Sequence, residues 1–273
     1  MTRILKRTYG VNLSKNYNIH WIEEILNDFF RDRLEKDSKR RFSSFHPSQI
    51  GVCSRAIWYS LKGYPKQLPF SISSQRFSYV GKAFHQMFED AFKNSEYFHS
   101  SEGKLRSSVD DIFSTEKLDI SVSGNFDLVV IRPFDKEKYL IEIKTRKDRN
   151  DNIYDDKYKS WEDLNESETD HVLQWQIYSF FSKINIGCIL YINRNNLKFK
   201  IFEQKRNDLL INKALDKYRL IYKFVKKNKT YPFQPDENHK FCLYSKQCQL
   251  DYFKETGDEG YAIFGRSIPK GIK

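Results

Sequence analysis

The chain has 273 residues, and 47 lysines and arginines against 36 aspartates and glutamates give it a formal net charge of +11. This length is enough for one large or two modest domains with a hydrophobic core. The positive charge favours a polyanionic partner, and nucleic acid suits it better than an anionic membrane surface. The sequence has no apolar run of 18 residues and no signal-peptide core, so we expect an intracellular, cytoplasmic protein. A composition rich in Lys, Asn and Ile suits the AT-rich genome of a phage or a low-GC bacterium, and for a phage protein the compartment would be the host cytoplasm.

Three helices are predicted before any strand. The first covers 20–35, where apolar residues recur at helical spacing. The second runs from Pro47 to Lys62 and contains Cys53 and Arg55, because proline suits a first turn and the glycine at 63 suits a C-terminal cap. The third covers 75–98, and its apolar stripe comprises Phe77, Val80, Phe84, Phe88 and Phe92.

The pattern then changes to strands. Residues 118–131 alternate and then become β-branched, and Gly124-Asn125 between the two halves indicates a turn. A strand follows at 139–145, then a polar loop, a helix over HVLQWQIYSFF, two strands joined at Asn195-Asn196, and a basic helix over 207–228. This order predicts a small mixed sheet interrupted by one helix.

Two charged residues interrupt the strand at 139–145. Glu142 and Lys144 alternate with Ile141 and Ile143, so both charged side chains lie on one face. Asp127 begins the preceding apolar strand. Carboxylates at strand ends are ligands for a hard divalent cation, and a nearby lysine can hold water and stabilise negative charge. Hydrolysis of a phosphodiester needs these groups.

Together these residues resemble the motifs of the PD-(D/E)xK nuclease superfamily, in the branch that includes the RecB nuclease domain and the CRISPR-associated exonucleases. The matching pairs, in the family's order, are Gly81 with His85, Gly124 with Asp127, Glu142 with Lys144, and Gln174 with Tyr178. The resemblance implies an α/β fold with a restriction-endonuclease-like core, a small mixed β-sheet flanked by helices. That core would span 71–229, between a helical N-terminal region at 1–70 and a cysteine-bearing tail at 230–273 that packs back on it.

The resemblance also implies roles. Asp127, Glu142 and the carbonyl of Ile143 would bind Mg²⁺ or Mn²⁺, and His85 would be a softer ligand that favours Mn²⁺. Lys144 would orient or deprotonate the attacking water. Gln174 and Tyr178 are four residues apart on one helix, so they share a face and would position the substrate and water.

A second site is predicted from the cysteines. Iron–sulfur members of this branch have one cysteine before the nuclease motifs and three after them, and Cys53, Cys242 and Cys248 fit three of these places, while His239 occupies the fourth. A [4Fe–4S] cluster with one histidine ligand, a zinc site and an empty thiol cluster all remain open. A metal bound here would hold the C-terminal tail against the N-terminal region. Cys188 lies in an apolar strand and is interpreted as a buried residue.

The basic helix is a candidate nucleic-acid surface, because its cations alternate with aromatic residues. The residues assigned to nucleic acid are Arg55, Lys213, Lys217, Arg219 and Lys223. A solvated amphipathic helix would have the same pattern.

The sequence therefore predicts a Mg²⁺- or Mn²⁺-dependent deoxyribonuclease, most simply an exonuclease on single-stranded DNA or DNA ends. Repair, recombination, phage replication and adaptive immunity all remain open as its pathway. Alternatives are an endonuclease of the same fold, a non-catalytic nucleic-acid-binding subunit of a larger complex, and, least favoured, a redox enzyme, since no G-x-G-x-x-G motif is present. There is no G-x4-G-K-[ST] motif either, so unwinding would need a helicase or another partner protein.

Overall fold

A computed structural model of the chain describes residues 20–39, 44–66, 72–109, 120–146, 169–234, 242–258 and 260–264. The helices are α1 (His20–Lys39), α2 (Ser54–Leu61), α3 (Ile72–Lys93), α4 (Thr169–Ser182), α5 (Asp208–Lys226), α6 (Ser245–Thr256) and α7 (Tyr261–Phe264). The strands are β1 (Phe98–Val109), β2 (Ile120–Ile131), β3 (Lys138–Arg146), β4 (Ile186–Asn193) and β5 (Phe199–Lys205). No described helix combines the length and apolarity that crossing a membrane requires.

The five strands form one mixed sheet in the order β1-β2-β3-β4-β5. Neighbouring strands are antiparallel except β3 and β4, which are parallel. A parallel pair needs a long crossover connection, and α4 lies in that connection. The predicted fold class, α/β with a small mixed sheet flanked by helices, is confirmed.

Each face of the sheet has its own hydrophobic core. The first core lies between one face and α2, α4 and α5, and it includes Tyr59, Trp175, Tyr191 and Tyr218. The second core lies under α3 on the opposite face, where Phe84, Phe88 and Phe92 pack on the sheet. The predicted stripe on α3 is therefore correct in its C-terminal half only, since Phe77 and Val80 are exposed.

Two sequence predictions near the N-terminal region and the first strands are wrong. Residues Pro47–Gln49 form a 3-10 turn, and α2 begins only at Ser54, so Cys53 precedes the helix instead of lying inside it. Gly124 and Asn125 are not a turn: they lie within the continuous strand β2, opposite Leu105 and Lys104 of β1. β1 has a polar sequence without clear alternation and was not predicted.

Segments far apart in sequence pack together at α2 and α6. Arg55 Nη2 pairs with Glu255 Oε1 at 2.8 Å, and the Tyr59 hydroxyl donates to Asp251 Oδ2 at 2.7 Å. The C-terminal segment thus contains a helix that contacts α2, although the sequence showed little periodicity there. The proposed division at 70 and 229 remains a prediction.

Candidate active site

The candidate site begins where β2 and β3 separate. Their pairing runs from Ile131 opposite Lys138 to Leu128 opposite Ile141 and stops there. The next N–H of β3 that points towards β2 belongs to Ile143. It donates a hydrogen bond to Asp127 Oδ2 at 2.7 Å. The N–H and C=O of one residue in a strand point to the same side, so the Ile143 carbonyl faces the same gap. The Asp127 carboxylate is therefore fixed where β2 separates from β3.

Glu142, Lys144 and Gln174 form a closed set of hydrogen bonds beside this gap. Lys144 Nζ lies 2.9 Å from Glu142 Oε1 and 2.9 Å from Gln174 Oε1. Gln174 Nε2 donates to the same Glu142 oxygen at 2.7 Å. The alternation on β3 and the position of Gln174 on α4 bring these three predicted residues together on the face of the first core.

The carboxylate of Glu142 is almost completely enclosed, with its side chain 4% exposed. Burial raises the pKa of Glu142, and the negative charge of Asp127 raises it further, while Lys144 opposes both effects. The two carboxylates are thus close enough to repel each other. A positive charge between them would relieve this repulsion.

His85 reaches Asp127 from the opposite face of the sheet. Its Nδ1 lies 3.3 Å from Asp127 Oδ1. Burial disfavours the charged imidazole, but the hydrogen bond to Asp127 and the charges of Asp127 and Glu142 outweigh it and raise the pKa of His85. Gly81, one turn earlier on α3, lets the helix approach β3, because a Cβ there would lie 3.3 Å from Thr145 Oγ1.

The second motif glycine also has a steric role. A Cβ on Gly124 would lie 2.9 Å from Pro47 Cδ and 3.2 Å from the Tyr178 hydroxyl oxygen. Gly124 therefore lets the 3-10 turn and the Tyr178 ring close over β2. Tyr178 is buried, and burial followed by the charge of Glu142 raises its pKa, so the phenol stays neutral.

One buried atom indicates that a divalent cation fits this site. Glu142 Oε2 is buried and has no hydrogen-bond partner among the described residues. A buried carboxylate oxygen without a partner is costly, and a metal ion would satisfy it. Across the described ranges, however, no three side chains of His, Cys, Asp or Glu are already arranged to hold an ion. The fit therefore depends on the two carboxylates and the Ile143 carbonyl together.

One residue of this region, His171, was not predicted from the sequence. Its Nδ1 lies 2.6 Å from the hydroxyl of Tyr191, which is opposite Lys144 in the β3–β4 register. Burial, together with the positive charges of Lys144 and Arg146, lowers the pKa of His171 to about 4. The helical spacing that placed Gln174 and Tyr178 on one face could have identified His171, three residues before Gln174.

The predicted cysteine site is partly described. Burial raises the pKa of Cys248 to about 12, and the thiols of Cys53 and Cys242 contribute to the rise. Cys53 and Cys242 pack against the same core as Cys248, but across the described ranges these side chains are not already arranged to hold an ion. None of the three thiols forms a disulfide, and Cys53 Sγ lies 3.8 Å from Gln234 Oε1. His239 lies outside the described residues. Cys188 is buried in the second core, as predicted.

The predicted nucleic-acid residues separate into two groups. Arg55 is 0% exposed and paired with Glu255, so its assignment to DNA is wrong. Lys217 Nζ donates to the carbonyls of Ile50 and Val52 at 2.7 and 2.8 Å, which ties α5 to the segment before α2. Lys213 and Lys223 are exposed on α5, and Arg219 pairs with Asp216 at 2.7 Å.

The aromatic residues of α5 do not form the expected stacking surface. Tyr218 is 0% exposed, and its hydroxyl donates to the His46 carbonyl at 2.9 Å. Tyr222 and Phe224 also pack against the first core. The helical period turns these rings towards the core, away from exposed cations such as Lys213 and Lys223.

No protein-family model matches the chain, and no curated protein matches its sequence. Among solved structures, that of SSO0001 is similar, with 16% identity over 82% of this chain and 94% of that one and a TM-score of 0.50. The chain also matches an alkaline exonuclease, LHK-Exo from Laribacter hongkongensis, with 12% identity over 71% and 93% of the two chains and a TM-score of 0.38. A phage-related exonuclease from Haemophilus somnus matches with 11% identity over 68% and 94% and a TM-score of 0.42. The last two likenesses are too low to support a conclusion, whereas the first supports the predicted fold.

Proposed function

We propose that this protein is a metal-dependent DNA nuclease, an exonuclease that hydrolyses phosphodiester bonds in single-stranded DNA or at DNA ends. The observation that carries the proposal is the buried, unpartnered Oε2 of Glu142 beside Asp127, with Lys144 Nζ on the other oxygen of the same carboxylate. Two carboxylates and an ammonium group at a strand divergence are the groups that phosphodiester hydrolysis requires.

Asp127, Glu142 and the Ile143 carbonyl would hold Mg²⁺ or Mn²⁺, with His85 as a further ligand. When bound, the ion supplies the positive charge that a phosphate diester needs as negative charge develops on it. The pKa of Glu142 is raised without it, so binding also keeps this carboxylate ionised.

The other residues act on water and charge. Lys144 Nζ donates to Glu142 and Gln174, and its remaining proton can donate to a water molecule or a phosphate oxygen in the gap. Gln174 fixes the orientation of both partners through its two amide atoms. Tyr178, held neutral next to them, closes the site on the side of the 3-10 turn.

The test is cleavage of end-labelled linear and circular single-stranded DNA with Mg²⁺ or Mn²⁺. The key variant is Lys144→Ala, and its matched control is Lys138→Ala, which changes an exposed lysine at the other end of the same strand. We expect loss of the linear substrate only, abolished by Lys144→Ala and retained in the control.

Each other result has a defined meaning. Cleavage of both substrates identifies an endonuclease. Binding of both substrates without cleavage by the wild-type protein overturns the catalytic proposal. The protein would then be a nucleic-acid-binding subunit, and a partner such as a helicase or a recombination or replication protein would supply the enzymatic activity.

For the cysteines we propose a metal clip formed by Cys53, Cys242 and Cys248, with His239 as the fourth ligand. The packing of Cys53, Cys242 and Cys248 in the same hydrophobic core supports it. Visible absorption and metal analysis of anaerobically purified protein distinguish a [4Fe–4S] cluster from zinc. Cys248→Ser should lose the metal and Cys188→Ser should retain it, and metal-free wild-type protein of full stability would identify an empty thiol cluster.

A further inference from the structure

An exposed aromatic ring lies on α3 at some distance from the candidate site. Phe77 is 54% exposed, although helix α3 buries Phe84, Phe88 and Phe92 further along. Phe77 precedes His85 by eight residues on the same helix, which corresponds to about 12 Å along its axis. Because Gly81, midway between them, faces Thr145 near the end of β3, Phe77 lies beyond the end of that strand.

A guanidinium group covers part of this ring. Arg194 Cζ lies 5.4 Å from the Phe77 ring centroid, within the range of a cation–π contact. Its Nη1 makes only a long hydrogen bond, 3.5 Å, to the Phe77 carbonyl, and its Nε is buried without an acceptor among the described residues. The outer N–H groups of the guanidinium are therefore the ones that can bind a phosphate.

Arg194 also lies close to the catalytic strand. Its backbone N–H donates to the carbonyl of Arg146 at 2.8 Å. Lys144 is two residues before Arg146 on β3, about 7 Å along the strand, which is roughly two stacked nucleotide steps of 3.4 Å. Lys144 and Phe77 lie on opposite faces of the sheet, so a strand with its phosphate at Lys144 would reach Arg194 around the end of β3, over a few nucleotides.

The charge around Phe77 favours a polyanion over a protein partner. The first half of α3, 72–81, contains Arg76 and no acidic residue, and Arg194 adds a second cation at the Phe77 ring. Arginine beside an exposed ring is the combination that binds single-stranded nucleic acid, with the cation on the phosphate and the ring on the base.

We propose that Phe77 and Arg194 form a nucleotide subsite, in which the free face of the Phe77 ring stacks on a base of single-stranded DNA and Arg194 binds an adjacent phosphate. The proposal rests on the nuclease function proposed above, because it places this nucleotide on the strand that enters the Asp127–Glu142 gap. Stacking does not depend on which base is present, so the subsite binds any sequence.

The first experiment measures binding of a single strand that carries 2-aminopurine at successive positions, in EDTA so that no cleavage occurs. Stacking on Phe77 should quench one or two positions. Phe77→Ala should abolish that quenching and weaken binding about tenfold, and Phe77→Trp should restore both. The matched control is Phe134→Ala, since Phe134 is 77% exposed and has Arg132 Cζ 4.7 Å from its ring, but lies in the β2–β3 turn at the other end of the sheet.

The second experiment separates the cation from the ring. A phosphate contact contributes about 0.7 to the slope of log affinity against log salt for a single strand. Arg194→Gln should lower the slope by about this amount, and Phe77→Ala should leave it unchanged. A purely structural role of either residue would change thermal stability and not this slope.

The results distinguish the two proposals. Tight binding that needs Phe77 but gives no cleavage with any metal overturns the nuclease proposal and leaves the subsite standing. Cleavage with equal affinity and quenching in wild type and Phe77→Ala overturns the subsite alone. If Phe77→Ala instead dissociates a wild-type oligomer in sedimentation and leaves DNA affinity unchanged, the ring belongs to a protein interface and the subsite is overturned.

Discussion

Asp127 and Ile143 are joined by a hydrogen bond from the Ile143 backbone N–H to Asp127 Oδ2, 2.7 Å long, at the point where β2 leaves β3. The carboxylate takes the place of a strand partner, so Asp127 has a structural role in addition to the chemical role proposed for it. Substitutions that preserve one role and remove the other can separate them.

Asp127→Asn keeps an oxygen for the Ile143 N–H and removes the charge. We expect its free energy of unfolding to change by less than about 1 kcal/mol, whereas Asp127→Ala, which leaves a buried N–H without an acceptor, should lose about 1–3 kcal/mol. Both variants should lose DNA cleavage. Denaturant titrations and cleavage assays on the same preparations check this, and an Asn variant with wild-type activity would contradict the role of the charge.

Glu142→Gln tests the interpretation of the unpartnered carboxylate oxygen. Mn²⁺ or Mg²⁺ should raise the melting temperature of the wild-type protein, because a ligand that binds only the folded state stabilises it. That rise should disappear in Glu142→Gln. In EDTA the variant should be at least as stable as wild type, since it removes a buried charge that Asp127 repels. An equal metal-dependent rise in both proteins would place the ion elsewhere.

Gln174 should affect the rate more than substrate binding. Its amide bridges Lys144 and Glu142, and groups that orient metal ligands typically contribute about 10–100-fold in activity. We expect Gln174→Ala to lower kcat by about tenfold or more with KM unchanged. Gln176→Ala is the control, because Gln176 is a buried amide on the same helix that bonds to Gln204 and the Asn207 N–H instead. It should cost stability and leave kcat intact, and the reverse pattern would refute the assignment.

His171 should make stability depend on pH. Burial and the charges of Lys144 and Arg146 lower its pKa to about 4 in the folded state, against about 6.5 when unfolded. The unfolded chain therefore takes up a proton first, so the contribution of His171 is present above pH 6.5 and is lost as the pH falls towards 4.

The comparison is between wild type and His171→Gln in EDTA. The glutamine variant should lose less stability than wild type between pH 6.5 and 4, by about 2 kcal/mol after allowance for partial exposure. The two proteins have to be compared because His85 and Glu142, whose pKa values are raised, change the stability of both in the opposite direction as the pH falls. Parallel stability curves for the two proteins would show that His171 does not titrate in this window.

The strand and motif patterns predicted which of these residues lie together, because period two alone places Glu142 and Lys144 on one face and helical spacing does the same for Gln174 and Tyr178. They could not show that Asp127 replaces a strand partner, because this depends on where β2 and β3 separate. The Gly124-Asn125 pair gave a wrong prediction, because this pair on its own is typical of a turn. In the structure a glycine is required at 124 because Pro47 and Tyr178 approach the strand there.

Long-range contacts account for the other errors. Arg55 resembled a surface cation, and only its pairing with Glu255, 200 residues later, buries it. β1 lacks an apolar pattern, so its pairing with β2 is visible only in the sheet. The sequence of the first half of α3 continues the apolar stripe and so predicts a buried Phe77. Phe77 is exposed because it lies beyond the end of β3, which the sequence pattern does not show.

The candidate site takes its residues from both faces of the sheet. His85 belongs to the helix over the second core, whereas Gln174 and Tyr178 belong to the helix over the first, and they approach one another only at the gap between β2 and β3. A loosening of either core would displace one side of the site by more than the fraction of an ångström that catalysis tolerates. Loss of cleavage would then precede global unfolding on heating, and nuclease activity would report on how firmly the two layers hold together.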